Sequence, residues 1–274
     1  MASSITPRFL NSSSGQVFTL YFEPCKPMRG AIVYLPPLAE EMNRCRTLVA
    51  AQARAFSHSG YACLLLDYFG TGDSAGELAD ADWGIWHADV LTAAQWLEQT
   101  TGMPVTLWGC RLGALLAADI ASQNPDRFRR LVFWQPVADG KMYITQFLRL
   151  RVASLMDQGL PPETTDQMRS QLASGQSIAV SGYTIPAGIA NEVDKIRITD
   201  LAGLERCHID WLENVPEAGK PLPLASQKVI DTLLARGTQV EIHLFSAPPI
   251  WQLHNRDEAP DMLEKTTALF GVQA

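Results

Sequence analysis

The stretch Gly109-Cys110-Arg111-Leu112-Gly113 constrains this chain more than any other. It follows the apolar run Val105-Thr106-Leu107-Trp108 and leads into an alanine- and leucine-rich segment, 114–122. Strand, tight turn and helix in that order need glycine two places before and two after the centre, so that helix and strand approach without side-chain collision. The spacing is that of G-x-S-x-G, a turn that carries a nucleophilic serine at its apex. Here the centre is Arg111, whose guanidinium stays protonated and cannot attack a carbonyl. Moving the register by one would make Cys110 the nucleophile, but then Trp108 takes the place of the first glycine, and its indole conflicts with the reason for that glycine. Two uses remain for Arg111. It pairs with a buried acid, or it joins the positive amino end of the following helix in anchoring a carboxylate, phosphate or sulfate.

The rest of the chain alternates. Apolar, β-branched and aromatic runs predict strands at 17–22, 31–35, 62–68, 105–108, 131–134, 208–212 and 240–245. Helical periodicity falls at 42–59, 82–98, 225–235 and 260–270. Such alternation implies a mostly parallel sheet covered on both faces. With the glycine-flanked turn, it predicts an α/β-hydrolase fold. Residues 139–200 break the pattern with a helical stretch at 143–157, turn signals at Pro161-Pro162 and Gly175, and the segment Ser181-Gly182-Tyr183-Thr184-Ile185-Pro186. This reads as a helical lid over the carboxyl ends of the strands, where open α/β sheets bind ligands. The expected organisation is a first core part at 1–138, the lid at 139–200 and a second core part at 201–274.

Composition removes several function classes. A 47% apolar content and a mean hydropathy of −0.01 over 274 residues suit one soluble domain with a sizeable core. No apolar run approaches the roughly 20 residues that span a bilayer, and the N-terminus shows no secretory pattern. The five cysteines are scattered without a C-x-x-C pair, so neither a disulfide framework nor a thiolate metal site is expected. A cytoplasmic location follows as the expectation. Net charge −7 with no long basic run argues against nucleic-acid binding. Neither G-x-G-x-x-G nor a P-loop occurs, and neither a cofactor nor a metal is called for.

The fold expects an acid and a histidine after the turn, in that chain order. Glu213 closes the run His208-Ile209-Asp210-Trp211-Leu212 and stands where that acid belongs, though a strand-end carboxylate also fits there. His254 lies in the loop before the last helix, placed for a base, while Trp251 in the same loop fits as the pocket-facing residue. His58, His87, His208 and His243 show no ligand spacing and read as packing or surface residues. In Pro36-Pro37-Leu38-Ala39-Glu40-Glu41-Met42-Asn43, Leu38 or Ala39 would supply one oxyanion N–H and Leu112 the other. Glu40, Glu41 and Asn43 would make the pocket mouth acidic, a counterweight to Arg111, unless the two glutamates simply serve the amino end of the next helix. In 67–77, Asp67 and Ser74 order a glycine-rich loop.

These segments together resemble one family of α/β-hydrolases. Pro36-Pro37 with Ala39-Glu40-Glu41-Met42-Asn43, Asp67 with Gly70-Thr71-Gly72-Asp73-Ser74, and Leu107-Trp108-Gly109 with Arg111-Leu112-Gly113-Ala114 are similar to the second type of hydrolase associated with exosortase A systems. Ser181-Gly182-Tyr183 and Trp251-Gln252 are similar as well, so the resemblance runs over nearly the whole chain. It implies an α/β-hydrolase fold and a link to exopolysaccharide biosynthesis and protein sorting, with arginine usual at the turn. It implies no substrate, and fold alone does not establish activity. Three readings stay open. The chain hydrolyses or transfers an acyl group from an ester, thioester or amide, with water activated by Glu213 or His254, or through Cys110. It binds a small anionic or acyl molecule without turnover, anchored by Arg111. Or it is a scaffold for a pathway partner, presenting Phe147, Leu150, Leu155 and Met156 from the lid.

Overall fold

The computed structural model describes residues 4–251 and 259–271. Ten strands form among them: β1 (Ile5–Ser12), β2 (Gly15–Phe22), β3 (Gly30–Leu35), β4 (Tyr61–Leu66), β5 (Val105–Cys110), β6 (Arg130–Trp134), β7 (Ile178–Val180), β8 (Tyr183–Ile185), β9 (His208–Asn214) and β10 (Gln239–Phe245). Eight build one sheet in the order β1-β2-β4-β3-β5-β6-β9-β10, and β7 and β8 form a separate antiparallel ribbon. From β4 to β10 all neighbours are parallel, while β1 and β2 add an antiparallel edge. All six residues of β3 are buried, as a strand covered on both faces requires.

Strand β1 was not legible in the sequence. It carries Pro7 and alternates with polar residues, a composition tolerated at an edge, where a missing N–H breaks no central ladder. The helices are α1 (Glu40–His58), α2 (Trp83–Thr101), α3 (Leu112–Gln123), α4 (Gly140–Asp157), α5 (Thr165–Ala173), α6 (Ala187–Val193), α7 (Leu224–Ala235) and α8 (Pro260–Ala268). Apolar residues of α2, α3 and α7 pack on one face of the sheet, and those of α1 and α8 on the other. Among the described residues no helix is long and apolar enough to cross a membrane.

The break in alternation corresponds to α4, α5, the β7–β8 ribbon and α6, which lie in the chain between β6 and β9. Helix α4 begins three residues before the expected start because the Asp139 side chain accepts the Met142 N–H and caps it. The segment is tied to the amino end of α1: the Tyr183 hydroxyl donates to Glu40 at 2.9 Å and accepts from the Asn43 amide at 2.7 Å. One expectation for α4 is corrected. Phe147 is buried beside Tyr143, on the inward face with Ile144 and Leu148, and Leu155 is half-buried; Leu150 and Met156 alone of that set are exposed.

Candidate functional site

Three adjacent parallel strands deliver three polar residues to one margin of the sheet: Arg111 after β5, Gln135 after β6 and Glu213 near the end of β9. Arg111 is the single residue between β5 and α3, with φ 53° and ψ −116°. A side chain with positive φ is strained, so the surroundings must hold it. They do so through the backbone. The Arg111 N–H donates to Trp134 O at 3.0 Å, and Arg111 O accepts from Ala114 at 3.0 Å and Val137 at 3.2 Å. The flanking glycines are sterically required. A Cβ on Gly113 would lie 2.1 Å from Leu35 O, and one on Gly109 would lie 2.5 Å from Gly113 O.

The neighbouring Cys110, last residue of β5, points into the core cluster of Tyr34, Cys45, Trp108 and Trp134. Its Sγ is 3.9 Å from Cys45 Sγ. Burial, followed by the Cys45 contact, pushes the thiol well above its usual range. A buried thiol held protonated is a poor nucleophile. The one-residue shift that would use Cys110 for attack is therefore corrected: the residue is core.

The Arg111 side chain turns to the margin. Nε donates to Glu41 Oε1 at 3.3 Å and Nη1 to Gln135 O at 3.4 Å, and the Tyr143 hydroxyl donates to Glu41 Oε2 at 3.2 Å. The guanidinium carbon lies 4.8 Å from the Trp251 ring centre and 5.9 Å from that of Tyr143, within range of cation–π attraction. Among the described residues Nη2 has no hydrogen-bond partner. Burial raises the Glu41 pKa, and Arg111 and Tyr143 lower it by less, so it stays above the usual carboxylate range. For Arg111 burial acts downward, but Glu41 and Tyr143 outweigh it and the guanidinium stays charged.

Glu213 is buried and already serves three donors: Gln135 Nε2 at 3.0 Å and Ser226 Oγ at 2.9 Å on Oε1, and Trp211 Nε1 at 2.7 Å on Oε2. Gln135 has φ 42° and also accepts the Asn214 N–H at 2.6 Å, so it joins the ends of β6 and β9. His254 lies outside the described residues. Arg111, Gln135, Val137, Met142, Tyr143, Trp211 and Ser226 line a pocket of about 400 Å³. A second pocket, about 460 Å³, is lined by Ala39, Met42, Asn43, Gly72, Glu77 and Tyr183. Ala39 and Asn43 belong to the second, and Glu41 points to Arg111. We take the first as the candidate site because it alone of the two presents a guanidinium.

The side chains of Leu38 and Leu112 are core, so only their backbone N–H groups could act in a site. Ala39 holds φ 55° and ψ −127°, almost the strained geometry of Arg111, at the start of α1. In the glycine-rich loop, Asp67 takes the Arg46 guanidinium at 3.1 Å and the Asp73 N–H at 3.2 Å. Ser74 Oγ donates to Asp67 O at 2.6 Å, which makes this loop structural. Sequence reasoning missed Gln135, Tyr143 and Ser226. Only Gln135 carried a usable signal, its place directly after a strand in the ligand-binding margin.

Known proteins bear on this geometry. Residues 26–180 match the family of serine aminopeptidases S33 (Hydrolase_4). The mitochondrial palmitoyl-protein thioesterase ABHD10 of Mus musculus is 29% identical over 158 residues, 57% of this chain and 50% of that protein. The Rattus norvegicus counterpart is 30% identical over 135 residues, 49% of this chain and 43% of that protein. The chain thus spans about half the length of the curated relatives it matches. Among solved structures, Est1E from Butyrivibrio proteoclasticus with bound ferulic acid superimposes with a TM-score of 0.68 at 13% identity, covering 96% of each chain. Mouse ABHD10 does so with 0.58 at 18% identity, again over 96% of each. At these identities the structures speak for the fold alone, and the sequence match adds the family: the chain belongs to the serine aminopeptidase S33 family of α/β-hydrolases.

Proposed function

We propose that the Arg111 pocket binds an acyl compound with an anionic head, and that no covalent acyl-enzyme forms at the turn. The observation that carries this reading is the Arg111 guanidinium at the strained apex, 4.8 Å from the Trp251 ring centre, with its Nη2 unpartnered among the described residues and the adjacent Cys110 thiol buried in the core. Val137, Met142, Trp211 and Val229 give the pocket apolar walls, and Arg111 with Gln135 and Ser226 gives it a polar end. Apolar walls with a few convergent polar groups suit an amphipathic small molecule. A planar fork of donors suits a carboxylate or phosphate. On this reading an incoming anion replaces Glu41 at the guanidinium, and arginine stands where relatives would hold an attacking serine. The resemblance to the exosortase-associated type would set the ligand in exopolysaccharide or protein-sorting chemistry, in the cytoplasm.

The test is a thermal-shift screen of alkyl carboxylates, alkyl phosphates and acyl-CoA thioesters against wild type and Arg111→Ala. Stabilisation of wild type that the variant loses supports the anchor; equal shifts in both proteins end it.

A second reading, hydrolysis of an acyl ester or thioester, is favoured by family membership and by the thioesterase activity named for the ABHD10 relatives. It leaves water activation to His254 or Glu213. Nitrophenyl butyrate turnover that falls in His254→Ala or Glu213→Gln supports it. Wild-type rates equal to buffer remove it for simple acyl esters.

A further inference from the structure

A second cluster lies nearer the other end of the same sheet, and strand pairing makes it. In the parallel β9–β10 register, Asp210 pairs with Glu241 and Leu212 with His243. Side chains alternate along each strand, so His208, Asp210, Glu241 and His243 all point to one face. His208 Nε2 and His243 Nε2 each lie 3.3 Å from the same atom, Asp210 Oδ1, and Glu241 Oε2 lies 3.6 Å from His208 Nε2. The ligating atoms of His208, Asp210 and Glu241 fall within 4.8 Å of one another.

An N–H···O bond prefers about 2.9 Å. Two donor atoms on one tetrahedral ion, with bonds of about 2.0–2.2 Å, sit roughly 3.3 Å apart. The observed separations of 3.3 and 3.6 Å are long for hydrogen bonds and leave room for an ion between His208, Asp210 and Glu241. Arg130 fixes the carboxylate from behind, with Nε and Nη2 both 3.0 Å from Oδ2, so that Oδ1 faces the imidazoles. Orientation of a ligating carboxylate by an outer partner is what a metal site requires. Charge then decides which members are needed. With neutral imidazoles, Asp210 and Arg130 cancel, and Glu241 leaves the cluster one negative charge to meet a cation. Asp210 is buried, whereas His208, His243 and Glu241 reach solvent at the edge strand. That gives an ion a route in.

We propose that His208, Asp210 and Glu241 form a binding site for a divalent transition-metal ion, with His243 orienting the Asp210 carboxylate, which ties edge strand β10 to β9. The imidazole–carboxylate set selects Zn²⁺, Co²⁺ or Ni²⁺ over Mg²⁺ or Ca²⁺, which prefer all-oxygen shells. The site is independent of the pocket at Arg111.

The test uses the full chain without an affinity tag, stripped with chelator and titrated with Co²⁺, read by visible absorption and by thermal midpoint. Stoichiometric Co²⁺ uptake that Zn²⁺ displaces, with a raised midpoint, is expected. Since loss of an outer partner alone weakens metal sites about 10–100-fold, His243→Gln and Glu241→Gln should each lower affinity at least tenfold. Glu241 is exposed, so Glu241→Gln keeps the comparison valid even where a histidine variant folds poorly. Failure of wild type to take up Co²⁺ or Zn²⁺, or affinity unchanged in both variants, overturns the proposal.

Discussion

Two acids held between helices and sheet, Glu41 on α1 and Asp119 on α3, are placed in opposite electrostatic states. Asp119 receives the Trp83 indole N–H at 2.7 Å, His87 Nε2 at 2.9 Å and the Gln123 amide at 3.1 Å. Burial works to raise its pKa, but His87 and Trp83 outweigh burial, and it lies below the usual range. Glu41 has two longer contacts, Arg111 at 3.3 Å and Tyr143 at 3.2 Å, and burial prevails, leaving it above the usual range. The first acid is satisfied by its own fold. The second is incompletely satisfied, although its partner is a permanent cation and both side chains are only 15% exposed. A structural ion pair is built like the first. A pair that a ligand can open is built like the second, which is why we place binding at the turn.

The largest expected effect breaks the turn side of this comparison. Gly113→Ala puts a Cβ 2.1 Å from Leu35 O, on backbone that cannot yield. Chemical denaturation should show a loss of about 3 kcal/mol or more, in the range of severe overpacking. Next comes the satisfied acid. Asp119→Ala strands the Trp83 and His87 donors and should lower stability by about 2 kcal/mol, at the usual penalty for buried polar groups left unpaired. Glu41→Gln should change stability by less than about 1 kcal/mol, because burial already opposes the ionised carboxylate more than Arg111 favours it, and glutamine keeps the hydrogen-bonding shape. A loss in Glu41→Gln as large as that in Asp119→Ala would erase the distinction.

The smallest effect is a difference in pH dependence with opposite signs. Asp119, with its depressed folded pKa, contributes stability present above the ordinary aspartate value of about 4 and lost as pH falls through the folded value. Asp119→Asn should therefore flatten the acid limb of a melting-temperature profile. Glu41, with its raised folded pKa, makes a contribution that declines as pH rises from the ordinary glutamate value of about 4.3 through the folded value. Glu41→Gln should gain on wild type between those two points. Parallel profiles for all three proteins would contradict both assignments.

Much of this architecture could be read from the chain, for identifiable reasons. Buried parallel strands need unbroken apolar runs such as Gly30–Leu35, and the elbow needs its glycines two places either side of the apex, so both signals are local. Arg111 could be singled out for that reason. What the sequence could not supply are contacts made by folding distant segments together. Tyr143 meets Glu41 across 102 residues, and Gln135 meets Glu213 across 78. His208 and His243 carry no ligand spacing along the chain, and they share an oxygen of Asp210 only because β9 and β10 pair in one register. Strand β1 escaped because an edge position relaxes the composition a strand needs.

The central claim is that the Arg111 guanidinium holds an anionic head in the pocket beneath α4. Isothermal titration calorimetry of octyl phosphate into wild type, Arg111→Lys and Arg111→Ala tests it most directly. The account predicts binding to wild type, weakened in the lysine variant, which keeps the charge but loses the fork, and reduced at least tenfold, about 1.4 kcal/mol, in the alanine variant. Equal affinity in wild type and Arg111→Ala would contradict it.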